Sequence, residues 1–129
     1  MSLRVVRLGT ARHPDEGLRL GTVRRPPRGV RKEHYASGNY FDAWLPELSP
    51  SAPLVSFALS KPFTPARWAA YARRYRGEMR RPAAERLLAV LAALSRQTNF
   101  SVGCYCEDES HCHRSLLKQL LIETGAQVV

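Results

Sequence analysis

The stretch from Phe100 to Val129 limits the architecture more than any other part of the chain. Phe100 to Cys106 alternates as a strand does, a short loop follows, and Leu116, Leu117, Leu120 and Leu121 then share one face of a helix. Gly125 suits the position just past that helix, and Ala126 to Val129 reads as a last short strand. Strand, loop, helix, strand is a parallel crossover unit, because parallel strands cannot be joined by a tight turn.

Upstream, Leu3 to Leu8 is apolar and β-branched and stops at Gly9-Thr10, which predicts a first strand. Residues 11–33 lose all periodicity and contain His13-Pro14 and Arg25-Pro26-Pro27-Arg28-Gly29, the chemistry of one long basic loop. Tyr40 to Pro50 is aromatic but broken by Pro46 and Pro50, so it reads as an ordered irregular segment, and Leu54 to Leu59 reads as a second strand. Thr64 followed by Pro65 is a helix start, after which Trp68, Tyr71, Ala72, Tyr75 and Met79 recur at helical spacing and read as core. Pro82 breaks that helix or restarts the next, whose buried stripe is Leu87, Leu88, Leu91 and Leu94. Strands and helices interleaved over residues 1–129 predict an α/β fold. It is expected to be a single three-layer domain with a mostly parallel, Rossmann-like sheet and a long basic loop after the first strand.

With 129 residues, 44% of them hydrophobic, the chain can bury a core without help from a metal or a disulfide. Cys104, Cys106 and Cys112 are an odd number within nine residues; they cannot form a disulfide framework and suit a reducing compartment. The N-terminus carries no signal-peptide run, and Leu87 to Leu94 is too short for a membrane span, so a cytoplasmic protein with no membrane partner is expected. The net charge of +9 is concentrated as +6 in residues 1–33 and +5 in residues 67–86, stripes that attract nucleic acid, nucleotides or phosphorylated metabolites. Arginine outnumbers lysine seventeen to three, however, which also fits compositional bias and ion-pair networks, and basic composition alone carries no base-reading groups.

In a parallel sheet, ligands collect at the carboxyl ends of strands and the N-termini of the helices that follow. The first strand ends at Gly9-Thr10-Ala11-Arg12-His13, where Arg12 is placed to clamp a phosphate or carboxylate. The strand from Phe100 ends at Cys104-Tyr105-Cys106-Glu107-Asp108-Glu109-Ser110-His111-Cys112-His113-Arg114-Ser115. If these two strands are neighbours, both loops open on one edge of the sheet. Cys106-Glu107-Asp108 followed by His111-Cys112-His113-Arg114-Ser115, with Gly9-Thr10-x-Arg12 and Tyr40-Phe41-Asp42-x-Trp44-Leu45-Pro46, resembles the family catalogued as domain of unknown function 488. The resemblance spans nearly the whole chain. It implies a small prokaryotic α/β domain without an assigned activity.

Three readings of the Cys/His loop stand side by side. In the first, Cys106 or Cys112 is a nucleophile favoured by the helix N-terminus and Arg114, with His111 or His113 as base. Seven residues separate Cys106 from Arg114 and one separates Cys112 from it, a spacing that departs from cysteine-dependent phosphatases, and Glu107 to Glu109 oppose an anion there. In the second, Cys106, His111, Cys112 and His113 hold zinc or iron, although no Cys-x-x-Cys pair exists. In the third the cluster is structural: Cys104 is a buried small hydrophobe, and Arg114 pairs with Asp108 or Asp42. The leading expectation is an enzyme or binding protein for an anionic, phosphate-bearing or nucleotide-like ligand. Its catalytic residues would be drawn from Cys106, Cys112, His111, His113 and Arg114, with Gly9, Thr10, Arg12, Asp42 and Ser115 binding the ligand. The alternatives are a basic nucleic-acid-binding module and a Cys/His metal-binding protein.

Overall fold

The computed structural model of the chain describes residues 1–59, 63–106 and 112–129. Among these residues four strands, β1 (Leu3–Arg7), β2 (Leu18–Gly21), β3 (Ala43–Trp44) and β4 (Phe100–Cys104), form one all-parallel sheet in the order β1-β4-β2-β3. Four helices complete the fold: α1 (Ala52–Leu59), α2 (Pro65–Glu78), α3 (Pro82–Leu94) and α4 (His113–Glu123). The α/β architecture and the parallel, Rossmann-like sheet are as the sequence predicts. No helix among the described residues is long and apolar enough to cross a membrane.

The last strand in sequence is a central one. β4 is buried along its whole length between β1 and β2, and Gly103 allows that closeness: a Cβ there would lie 2.5 Å from the Val6 carbonyl oxygen. Register pairs Leu3 with Phe100 and Val5 with Val102, and these side chains pack against Tyr75, Leu88, Leu91, Leu117 and Leu121 from the helices. The C-terminal apolar residues contribute a single parallel bridge, Val128 to Leu3, beside β1 rather than a full strand. Helix starts follow local chemistry. The Thr64 hydroxyl accepts from the Arg67 amide at 3.1 Å, with Pro65 in the first turn, as its sequence predicts. Leu94, expected in the α3 stripe, is instead exposed.

Two elements differ from expectation. Residues 54–59 lie in α1 rather than in a strand, since a short apolar run does not distinguish the two by periodicity. The start signal was Ser51, whose hydroxyl caps the Leu54 amide, with Pro53 in the first turn; Ser51 is itself held by the Glu78 carboxylate. The long basic loop, in turn, contains β2. Its four residues include Arg19, which is fully buried, so the strand reads as polar chain.

Strand alternation places Arg19 and its register partner Ser101 on the face opposite the helices, a face covered by irregular chain. There Arg19 donates to both carboxylate oxygens of Glu16 at 2.6 and 2.9 Å and to the carbonyls of Thr10 and Asn39, while the Ser101 hydroxyl donates to Glu16 at 2.5 Å. Burial alone would raise the Glu16 carboxyl, but the hydrogen bonds from Arg19, Ser101 and the His13 amide outweigh it and hold the pKa at about 2, against an ordinary 4.5. The unfolded chain therefore takes up a proton first as pH falls. The contribution of this ion pair is complete above pH 4.5 and is lost between 4.5 and about 2. Glu16→Gln should lower stability near neutral pH by about 3 kcal/mol, because it leaves Arg19 buried and unpaired. It should also flatten the acid limb; urea unfolding across that pH window checks both, and wild-type stability in the variant would contradict this account.

Candidate functional site

β4 delivers its last residue, Cys104, to the carboxyl edge of the sheet, Cys106 lies two residues on, and Cys112 is the N-cap of α4. The three Sγ atoms lie within 4.8 Å of one another, and those of Cys104 and Cys112 are 2.8 Å apart. Cys104 and Cys112 are buried, whereas Cys106 is exposed. Hydrogen bonds from the Cys104 and Cys112 thiols, together with the nearby Arg114 charge, favour the Cys106 thiolate against its partial burial and bring its pKa well below the usual thiol range. Donation to the Cys106 sulfur pushes Cys104 up to about 12, and Cys112 is likewise raised by its bonds to Cys104 and Cys106.

The next two residues brace this cluster from the first turn of α4. His113 Nε2 lies 2.7 Å from the Thr22 carbonyl, which can only accept, so Nε2 carries the hydrogen and Nδ1 turns its lone pair toward Cys112 Sγ, 3.6 Å away. Burial lowers the His113 pKa further than the Thr22 bond raises it, so the ring is neutral. Arg114 is only 4% exposed; its Nη2 donates to the Cys106 carbonyl at 3.0 Å, and its Nε has no partner among the described residues.

Cys104, Cys106, Cys112 and His113 line a cavity of about 740 Å³. Trp68 and Tyr71 of α2, stacked with ring centroids 5.4 Å apart, form one wall, while Arg24, Arg25 and Arg28 reach it from the basic loop. That loop is tied in place. Arg24 Nε donates to the Pro50 carbonyl at 3.1 Å, and the Tyr105 hydroxyl donates to the Arg25 carbonyl at 2.9 Å.

The structure thus brings together Cys106, Cys112, His113 and Arg114, and adds Cys104, which is buried as expected but also touches Cys112. His111, proposed as base or ligand, and Glu107 to Glu109 lie outside the described residues. β1 and β4 are neighbours, yet Gly9, Thr10, Arg12 and Asp42 do not line the cavity. Arg12 pairs with Asp42 at 2.8 Å and bonds Asn39 and Ala36, Thr10 donates to the Arg7 carbonyl, and Gly9 packs on Tyr40. Asp42 is therefore the partner of Arg12, not of Arg114. Ser115 spends its hydroxyl on the Cys112 carbonyl. Part of the basic stripes is likewise committed internally, Arg19 to Glu16 and Arg76 to Glu123. Tyr71, with Trp68 packed on it, belongs to the core as the sequence predicts and also lines the cavity, a second role that a stripe at helical spacing does not reveal, while Arg24, Arg25 and Arg28 of the basic stripe reach the cavity from irregular chain.

Fold and site together define a parallel α/β domain with a thiol cluster at the carboxyl edge of its central strand. The chain belongs to the family described as Active DUF488-N3 subclade, whose model matches residues 3–125. No curated protein and no solved structure matches it significantly.

The contrast in exposure is directly measurable. Iodoacetamide should label Cys106 in the native protein, with a pH midpoint well below the ordinary thiol value of about 8.5, and leave Cys104 and Cys112 unlabelled until denaturant is added. Peptide mapping that finds all three labelled alike would contradict the arrangement.

Proposed function

We propose that the cavity takes an anionic ligand that is phosphate-bearing and nucleotide-like, and that Cys106 is the nucleophile of an enzyme acting on it. The observation that carries this reading is an exposed thiol, beside two buried thiols, in the lining of a cavity that arginines and stacked aromatic rings also line. The parts have distinct roles. Arg24, Arg25 and Arg28 supply positive charge to the ligand's anionic group, and Trp68 and Tyr71 supply flat apolar surface to the rest of it. The Cys106 thiolate attacks, stabilised by thiol donors. Arg114 positions the Cys106 backbone, and His113 fixes Cys112.

Thermal-shift screening with inorganic phosphate, nucleoside monophosphates and sulfur-donor anions should find a stabilising ligand. Arg24→Ala and Arg28→Ala should each weaken that ligand by about tenfold. Cys106→Ser should keep the shift and lose turnover. A cavity that responds to none of these anions, or turnover that survives in Cys106→Ser, overturns the assignment.

A second reading is favoured by one observation, the three Sγ atoms within 4.8 Å of one another. A sulfur-rich donor set of this kind suits zinc or iron, and among the described residues it would supply three protein ligands. The ion would be held by Cys104, Cys106 and Cys112. Protein purified without chelator should then carry about one equivalent of metal, absent from Cys112→Ser. Metal-free wild-type protein with a reactive Cys106 would leave the first reading alone.

A further inference from the structure

We infer that the three cysteines form an oxidation relay: a hydroperoxide oxidises Cys106, Cys112 resolves it, and the oxidation is stored as a buried disulfide between Cys104 and Cys112. The inference rests on Cys106 being the accessible, reacting thiol, and on neither the ligand nor a metal. Three observations carry it. Cys106 is the exposed member of the cluster, so a small oxidant reaches its sulfur first. All three sulfurs lie within 4.8 Å, so a thiol that can resolve an oxidised Cys106 is already at hand. The 2.8 Å approach of Cys104 and Cys112 in the buried interior already puts those two sulfurs in contact, and burial shields their product from bulk reductant.

The chemistry balances in three steps. The Cys106 sulfur attacks the hydroperoxide; the O–O bond breaks, an S–O bond forms, and an alcohol (water, for hydrogen peroxide) leaves. The Cys112 sulfur then attacks Cys106; an S–S bond forms, the S–O bond breaks, and the hydroxyl leaves with the Cys112 proton as water. Finally the Cys104 sulfur attacks Cys112, forming the inner disulfide and returning Cys106 as a thiol with the Cys104 proton. The net change is two thiols and one hydroperoxide to one disulfide, one alcohol and one water. Cys112 belongs to α4 and Cys104 to β4, so the disulfide would join the helix start to the strand end.

Chelator-treated full-length protein, exposed to hydrogen peroxide and mapped under non-reducing conditions, tests this. In the wild type the product should be the Cys104–Cys112 disulfide with Cys106 free. Cys106→Ser should form that disulfide at least about tenfold more slowly, because the exposed entry point is gone. Cys112→Ser should hold Cys106 as a sulfenic acid that dimedone traps, and Cys104→Ser should stop at a Cys106–Cys112 disulfide. Wild-type protein with Cys106 driven to sulfinic acid while Cys104 and Cys112 stay reduced overturns the relay, as does inner disulfide formation in Cys106→Ser at the wild-type rate. The wild-type map needs no variant to fold. Because the phosphate-ligand thermal shift reads the arginine-walled cavity, a failed relay with an intact shift is distinguishable from a failed ligand assignment.

Discussion

A parallel sheet needs both faces covered; among the described residues the α-helices pack on the side of Leu3, Phe100 and Val102, while Arg19 and Ser101 belong to the other side, which irregular chain covers. The buried pair of Glu16 and Arg19 holds that cover. Arg19 stands on β2 beside Ser101 of β4, and from there its guanidinium holds carbonyls of the 9–12 turn and of Asn39, while its own amide reaches Asp42. Two stretches of irregular chain are thereby fastened to the sheet by one side chain. Asp42, held below the usual carboxylate range by Arg12 against its own burial, locks the same two stretches from outside. With this clasp in place, Phe41 and Tyr40 can pack toward Leu8 and Cys104, and the second small core around the thiols can exist.

That second core explains why reactive chemistry sits where it does. Leu8, Val23, Phe41, Cys104 and Cys112 form a cluster separate from the helix-facing core, at the sheet edge where β4 ends and α4 begins. Two thiols serve there as small apolar fillers, while a third, two residues along, emerges into the cavity. Packing and reactivity are thus divided among residues of one type. The division is set by where the strand stops, since Cys104 is the last residue of β4 and Cys106 is already outside it.

Much of this was legible from residues alone. The strand from Phe100, the helix after it and the Thr64-Pro65 helix start follow from local chemistry and stand in the structure, while the last predicted strand is reduced to one parallel bridge at Val128. The clustering of Cys106, Cys112, His113 and Arg114 also follows from proximity in sequence. What was not legible depends on partners distant along the chain. β2 was hidden because it buries an arginine, and Glu16, itself held by Ser101 82 positions from Arg19, together with the carbonyls of Thr10 and Asn39, makes that tolerable. α1 was hidden because a six-residue run with five apolar side chains suits a strand equally well, and its cap at Ser51 is held by Glu78 of α2. Arg12 has the sequence of an anion clamp, yet thirty positions on, Asp42 fills its fork.

The position of Cys112 has a mechanical side. Its sulfur belongs to the thiol cluster, while its backbone is the N-cap of α4 and its carbonyl accepts from both the amide and the hydroxyl of Ser115. α4 in turn buries Leu117 and Leu121 completely in the main core. Any bond made to that sulfur pulls on the first turn of a helix whose far side is anchored. The amides of that turn are consequently a built-in gauge of what the cysteines are doing, readable by hydrogen exchange without any knowledge of the ligand.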